Sequence, residues 1–118
     1  MKHIKSIKLF ESNLFDTISD ICLELQDEGF DIKFDEVEGR EHISELIIKM
    51  YNHNHEHVGF KPITIGETIK RIHTVLGVNY INLRAKLYKY DSDYYEVHIN
   101  NMIIRKDIIY GIQIRFYK

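Results

Sequence analysis

The chain has 118 residues, of which 44% are hydrophobic and 29% are charged, and its formal net charge is -2. These values are typical of one soluble domain and exclude disordered, fibrous and membrane-spanning proteins. A chain of this length can bury one core without disulfides or metal but has no room for a second, so we predict a single domain over residues 1–118.

The cysteine content and the absence of a signal segment favour a cytoplasmic protein. Cys22 is the one cysteine and lies in an apolar helical pattern, so a disulfide within the chain is excluded and a reducing compartment is expected. Residues 1–11 contain lysines but lack the continuous apolar run of a signal peptide, and no later run is long enough to cross a membrane.

Charge divides the chain into two unlike halves. Residues 1–60 hold 6 basic and 13 acidic residues, whereas residues 61–118 hold 10 basic and 5 acidic residues. The acids concentrate between Glu11 and Glu45. Two interpretations fit this pattern: a solvated helix face with neighbouring loops, or an acidic surface that mimics nucleic acid or docks on a basic partner.

Helix one is predicted over residues 13–28. Its apolar positions recur with a helical period, at Leu14, Phe15, Ile18, Ile21, Cys22 and Leu25. Gly29 follows and is placed to end the helix in a left-handed conformation. Two antiparallel strands then follow from alternating apolar residues over 30–34 and 46–50, joined around Gly39.

Helix two is predicted over residues 65–76, after the capping box Thr64-Ile65-Gly66-Glu67 and before Gly77. A hairpin should follow, with strands over 81–87 and 95–99 joined by Asp91-Ser92-Asp93. A turn at Asn100-Asn101 leads to a last strand over 110–116. We expect this strand to be peripheral, and because it is also long and apolar, it could pair with a second copy.

The fold class that follows is α+β, with two helices packed on one face of an antiparallel sheet. The segment from His3 to Phe10 decides the topology. If it is a first strand, the order is ferredoxin-like βαββαβ with extra C-terminal strands; if residues 1–11 are a tail, the order is αββαβββ. Either arrangement leaves one face of the sheet open to a partner.

Three alternating histidines form the most conspicuous local motif, His53-Asn54-His55-Glu56-His57. On an extended segment, His53, His55 and His57 would point to one side, and neutral imidazoles are good zinc ligands. The loop lacks a cysteine partner and a downstream set of acidic and histidine ligands, so a solvated loop is favoured over a weak or functional zinc site.

Tyrosines and cations share the predicted polar face of the late strands. The candidate interaction residues are Tyr80, Arg84, Lys86, Tyr88, Tyr94, His98, Arg115 and Tyr117. Aromatic rings beside cations can hold single-stranded nucleic acid, but tyrosine is also favoured on any half-buried strand, and the glycine-aromatic motif of RNA-recognition modules is missing. A protein-docking face is therefore preferred over a nucleic-acid platform.

Catalytic signatures do not emerge from the residues. Cys22 is expected to be an inert core thiol, and the sequence contains no Gly-x-Ser-x-Gly motif, phosphate-binding loop or paired carboxylates. We therefore expect a protein that is not an enzyme.

The N-terminal segment resembles the short Lys-rich starts found on many proteins of large tailed bacteriophages; it reads Met1-Lys2-His3-Ile4-Lys5-Ser6-Ile7-Lys8-Leu9-Phe10-Glu11-Ser12. In such phages this segment is a capsid-targeting tag. The resemblance implies cleavage after Glu11 by the prohead protease, since Leu9-Phe10-Glu11 fits its preference. Residues 18–30 also look like the opening of small phage proteins with the same passage from helix to strand.

The sequence thus predicts a non-enzymatic phage protein that acts through contacts with phage structural or host proteins. It would be a virion or head-associated component, or a small host-takeover factor, in the host cytoplasm or the virion. The alternative is a nucleic-acid-binding accessory protein that uses the Tyr/Arg/Lys face. No membrane partner and no cofactor are expected, and zinc at the histidine loop is the less favoured alternative.

Overall fold

The computed structural model describes residues 2–118, with side chains from residue 14 onward. Residues 2–118 fold into three helices and six strands: α1 (Lys2–Asp27), β1 (Phe30–Val37), β2 (Arg40–Tyr51), β3 (His57–Val58), α2 (Gly66–Leu76), β4 (Tyr80–Lys86), β5 (Tyr95–Glu96), α3 (Ile99–Met102) and β6 (Gly111–Tyr117). Short 3-10 turns flank α2 at Pro62–Ile65 and Gly77–Asn79. The predicted α+β class is confirmed.

The strands form one antiparallel sheet in the order β1-β2-β6-β4-β5, and β3 pairs with the end of β2. The β1–β2 hairpin turns at Gly39, whose positive φ of 76° suits a residue without a Cβ atom. Ile112 of β6 lies opposite Ile48 of β2 on one side and opposite Ala85 of β4 on the other.

A single hydrophobic cluster fills the space between the helices and one face of the sheet. The fully buried side chains from α1 and α2 include Ile18, Cys22, Leu25, Ile69, Ile72 and Leu76, and those from the sheet include Leu46, Ile48, Leu83, Ile112, Ile114 and Phe116. Burial alternates along β2 and β6, as expected when only one side of a sheet is covered.

The predicted first strand is wrong. Residues 3–10 belong to α1, which runs without interruption from Lys2 to Asp27. The first element described is therefore a helix, and the element order is closer to the alternative without a leading strand. The predicted end of this helix is confirmed, because Gly29 adopts a φ of 96° directly before β1.

The predicted capping box before α2 is also wrong. The N-cap residue of α2 is Ile65, which makes no side-chain capping bond, and the Thr64 hydroxyl donates to the carbonyl of Lys61 instead, at 2.6 Å. A 3-10 turn that starts at Pro62 leads into the helix in place of the box. Position 66 requires glycine because a Cβ atom there would lie 2.5 Å from the Ile103 carbonyl oxygen.

The C-terminal half departs most from the predicted meander. Strand β5 has only two residues, and the residues expected to end it and to form the following turn, Ile99 to Asn101, lie in α3. His98 caps this short helix, because its Nδ1 accepts a hydrogen bond from the Asn100 N–H at 3.2 Å. Strand β6 lies in the middle of the sheet and not at its edge, so it is not available to pair with a second copy.

Candidate docking face

The sheet has one side turned away from the core, which we call the open face. Because side chains alternate along each strand, every second residue of the four long strands belongs to it. Its members, none of them in the buried core, are Asp31, Lys33, Asp35, Ile43, Glu45, Ile47, Lys49, Asn82, Arg84, Lys86, Gln113, Arg115 and Tyr117, together with Gly111.

Strand register arranges these side chains in rows across the sheet. One row crosses four strands through Lys33, Ile47, Gln113 and Arg84. The next row toward the β1–β2 turn contains Asp35, Glu45, Arg115 and Asn82. Ile47 and Ile43 place aliphatic surface between these polar groups, so the face combines apolar contact area with charges of both signs.

Most cations of the open face already have partners within it. Arg115 donates from Nε to the Glu45 carboxylate at 3.2 Å, and these side chains are only 28% and 13% exposed. Lys33 pairs with Asp35 at 3.4 Å. Arg84 donates from Nη2 to the Tyr94 carbonyl at 3.0 Å, which links β4 to the segment that precedes β5.

Lys49 and Lys86 differ from these paired cations. Within the described side chains, neither has a carboxylate within 4.0 Å. Partial burial lowers the pKa of Lys49 below its usual value, and the charges of Lys86 and Lys33 lower it further, against the opposing effect of Asp31. Asp31 therefore offsets part of the positive charge at this end of the face.

Gly111 lies between these two lysines. In the ladders, Ile48 is opposite Ile112 and Lys86 is opposite Gly111, so the row at this level runs from Lys49 through Gly111 to Lys86. A Cβ atom on Gly111 would lie 2.8 Å from the Tyr94 hydroxyl oxygen and 3.5 Å from Cβ of Lys86. The Tyr94 phenol thus occupies the space that a side chain at position 111 would need.

His57 borders the same end of the face. It lies opposite Tyr51 in the β2–β3 ladder, with ring centroids 5.5 Å apart, and its Nε2 donates to the Tyr110 carbonyl. Burial lowers the pKa of His57; the bond to Tyr110 opposes this effect, and the charges of three lysines reinforce it. Those lysines are Lys86, Lys49 and Lys89.

Two amide oxygens on the open face are buried and have no hydrogen-bond partner among the side chains from residue 14 onward: Oδ1 of Asn82 and Oε1 of Gln113. Gln113 lies in the central strand, and Asn82 lines a pocket of about 460 Å³ near β5. A buried amide oxygen without a donor costs free energy, because it has lost its bonds to water.

The predicted interaction residues do not all lie together. Arg84, Lys86, Arg115 and Tyr117 belong to the open face, and Tyr94 covers Gly111 there. Tyr80 does not, because a bulge between Tyr80 and Asn82 shifts the alternation and turns its ring toward His73 on α2, with centroids 4.4 Å apart. Tyr88 is 61% exposed after the end of β4, and His98 caps α3.

Sequence reasoning missed the contribution of β2 to this face. Ile43, Ile47 and Lys49 contribute apolar area and charge to it, whereas the prediction placed the interaction surface on the late strands alone. The signal was present, since Glu45, Ile47 and Lys49 have the opposite phase to the buried Leu46 and Ile48.

The histidine loop is a turn and not an extended segment. The Asn52 side-chain oxygen accepts hydrogen bonds from the backbone N–H groups of Asn54 and Glu56, both at 2.9 Å. His53 and His55 are exposed in this turn, whereas His57 is half-buried in β3. Within the described part of the chain, no group of three His, Cys, Asp or Glu residues could hold a metal ion. The structure therefore does not bring His53, His55 and His57 together as the less favoured zinc alternative requires.

The two remaining candidate residues lie in α1. Cys22 is buried in the core, and this burial raises the pKa of its thiol to about 11, as expected for an inert thiol. Glu11, the predicted processing position, lies in a helical stretch whose side chains are outside the described ones.

Apart from Asp31, Asp35 and Glu45 of the open face, many acidic residues lie elsewhere on the surface. Several are exposed along α1 and the β1–β2 hairpin, namely Asp16, Asp20, Glu24, Asp27, Glu28, Glu36, Glu38 and Glu41. Glu24 approaches Arg71 of α2 at 3.9 Å, and Glu36 pairs with Lys118. The acidic surface is thus only partly compensated by neighbouring cations.

None of the helices described here has both the length and the apolar content needed to cross a bilayer. Comparisons of the chain with protein-family models, with curated proteins and with solved structures found no match.

Proposed function

We propose that this protein binds another protein through the open face and has no catalytic activity. The observation that carries the proposal is the composition of that face. Ile43 and Ile47 lie on the same face as the half-buried Arg115–Glu45 pair and the exposed Lys33–Asp35 pair, together with the amide groups of Asn82 and Gln113. A patch of apolar contacts with polar groups of fixed geometry is typical of specific protein interfaces.

The balance of charges favours a protein over nucleic acid. The cations of the open face are Lys33, Lys49, Arg84, Lys86 and Arg115, and its anions are Asp31, Asp35 and Glu45, with Glu96 opposite Arg84 in β5. Protein surfaces that bind nucleic acid owe much of their affinity to an excess of positive charge that contacts the phosphate backbone. Four carboxylates spread among five cations oppose that mode of binding.

Single-stranded nucleic acid is the second candidate, and one observation favours it. Lys49 and Lys86 have no carboxylate partner among the described side chains. The exposed ring of Tyr51 lies two residues after Lys49 on β2, on the same face. Cations beside an accessible aromatic ring can bind phosphate and stack a base. Affinity for oligonucleotides that falls steeply with salt would support this candidate.

The biological context is a separate proposal. The resemblance of residues 1–12 to phage tags supports a phage protein that is either a virion or head component or a host-takeover factor. Intact-mass measurement on purified particles and on infected cells tests this. A species that begins at Ser12 in particles would support a processed head protein, and full-length protein in particles would support an uncleaved component. Protein found in infected cells but not in particles would support a host-directed role. Absence from both samples would contradict the phage context.

We also propose that the sheet is a rearranged ferredoxin-like sheet. In the βαββαβ order, the first strand lies between the third and the fourth and is antiparallel to both. What supports the proposal is that β6 occupies this place, between β2 and β4, with both ladders antiparallel. The C-terminal strand would then stand in for the missing leading strand.

A comparison of two variants tests the docking proposal. Ile47→Asp places an unpaired charge in the centre of the open face, whereas Leu23→Asp places the same charge at an exposed site on α1. Affinity capture with quantitative mass spectrometry should recover the same proteins with the wild type and Leu23→Asp, and should lose them with Ile47→Asp. Equal recovery by both variants would contradict the proposal, provided that both melt like the wild type.

A further inference from the structure

Strand β1 forms one edge of the sheet, and this edge is open along its whole length. β1 has eight residues, Phe30–Val37, and pairs on one side with β2. Within residues 2–118, no strand pairs with its other side, and no backbone hydrogen bond from outside the β1–β2 ladder reaches it. The opposite edge of the sheet is short, because β5 has only two residues. A long edge strand with unpaired N–H and C=O groups is a template for another strand.

The side of β1 that faces the helices is only partly covered. Phe30 is buried, but Ile32 and Phe34, which have the same phase along the strand, are half-buried. The Phe34 ring lies against Phe15 of α1, with centroids 5.3 Å apart, and still keeps part of its surface exposed. Apolar surface is therefore left at the edge itself, where the apolar side chains of a neighbouring strand would cover it.

The other side of β1 carries exposed charges of alternating sign, at Asp31, Lys33 and Asp35. When two copies of one strand pair antiparallel about a twofold axis perpendicular to the sheet, residues on the same face meet. With Ile32 at the centre, Asp31 of each copy lies opposite Lys33 of the other copy, and the two Ile32 side chains meet. Phe30 then lies opposite Phe34. Both faces of the segment 30–34 are thus complementary to themselves.

The neighbouring registers fit less well. With Lys33 at the centre, the two lysines meet and each Asp31 meets an Asp35, so like charges lie opposite one another. With Phe34 at the centre, Lys33 meets Asp35, but Ile32 meets Glu36, which places a carboxylate against an apolar side chain. Charge and apolar surface therefore agree only when Ile32 is at the centre.

We propose that two copies of this chain associate through β1, antiparallel and centred on Ile32, so that their sheets join into one. The second copy is the occupant that the pattern of β1 selects, because its segment 30–34 supplies both the opposite charges and the apolar side chains. The twofold axis keeps both open faces on the same side, so the dimer doubles that face. The proposal does not depend on what the open face binds.

Sedimentation equilibrium of the full-length protein between about 1 μM and about 1 mM tests the association. The wild type should dimerise. Lys33→Glu and Asp31→Lys each place like charges opposite one another at two points, so each should raise the dissociation constant about tenfold. An equimolar mixture of these two variants restores opposite charges at both points and should form heterodimers with about the wild-type affinity. Lys70→Glu, at an exposed site on α2, is the matched control and should dimerise like the wild type.

Three results would overturn the proposal: a wild type that stays monomeric at about 1 mM, dimers that neither variant weakens, or a mixture that stays monomeric. Dimerisation of the mixture also shows that both variants are folded, since misfolded chains would not recover affinity on mixing. Asp35→Lys tests the register, because Asp35 lies opposite Gly29 when Ile32 is at the centre. A larger loss with Asp35→Lys than with Asp31→Lys would move the centre to Phe34 and overturn the register proposed here.

Discussion

The Tyr94 hydroxyl oxygen lies 2.8 Å from the point that a Cβ atom would occupy on Gly111. This contact joins the segment before β5 to the centre of the sheet and explains why position 111 has no side chain. The phenol ring takes the place of that side chain, and it does so between Lys49 and Lys86 of the open face.

Gly111→Ala should therefore destabilise the protein by about 1–3 kcal/mol, the range for inserting a methyl group into a packed site. Urea denaturation measures the change. In a Tyr94→Phe background, which removes the opposing oxygen and leaves the next ring carbon at 3.5 Å, the same substitution should cost less. Equal costs in both backgrounds would show that this contact does not decide the residue at position 111.

Glu45→Gln should cost about 1–3 kcal/mol of folding free energy, because it leaves the half-buried Arg115 guanidinium without its counter-charge. The exposed pair Lys33–Asp35 provides the control, since its side chains are 64% and 50% exposed. Asp35→Asn should change stability by about 0.5 kcal/mol or less. If the two substitutions have equal effects in urea denaturation, the burial of the Arg115 pair adds nothing to its strength.

Some local elements could be predicted from the sequence, and the non-local arrangement could not. The helical period from Leu14 to Leu25 and the glycines at 29 and 39 predict the second half of α1, its end and the β1–β2 hairpin, because these signals act between near neighbours. The central position of β6 depends on pairing with strands about 70 and about 30 residues away, which no local pattern encodes.

The open face could be predicted only in part, because it too depends on how distant strands pair. Strict alternation correctly places Arg84 and Lys86 on one side, but it cannot foresee the bulge that turns Tyr80 to the other. Nor does it bring Lys49 to Lys86, since that proximity follows from both strands pairing with β6 across Gly111.

Cys22 should resist alkylation as long as the protein is folded. Its thiol is 1% exposed with a pKa of about 11, so at pH 8 both access and the thiolate fraction are small. Iodoacetamide labelling followed by mass spectrometry should be slow in native buffer and complete within minutes in concentrated urea. Rapid labelling in native buffer would mean that α1 opens away from the sheet without global unfolding.

Stability should fall as the pH drops below about 6.5, and His57 should contribute to the loss. Its pKa in the folded protein lies below the ordinary value of 6.5, first because of burial and then because of the nearby lysines. Between these two pKa values the unfolded chain binds a proton that the folded chain does not, so acidification favours unfolding. Above pH 6.5 the imidazole is neutral in both states, and this contribution to stability is fully present.

His57→Gln keeps a donor for the Tyr110 carbonyl but removes the titration. The free energy of unfolding, measured by urea denaturation between pH 5 and pH 8, should therefore fall less steeply for this variant than for the wild type. The difference in slope is limited to about 1.4 kcal/mol per pH unit for one proton. His53→Gln, at an exposed site in the adjacent turn, should keep the wild-type slope. A variant at position 57 that retains the full slope would place the acid sensitivity in another group.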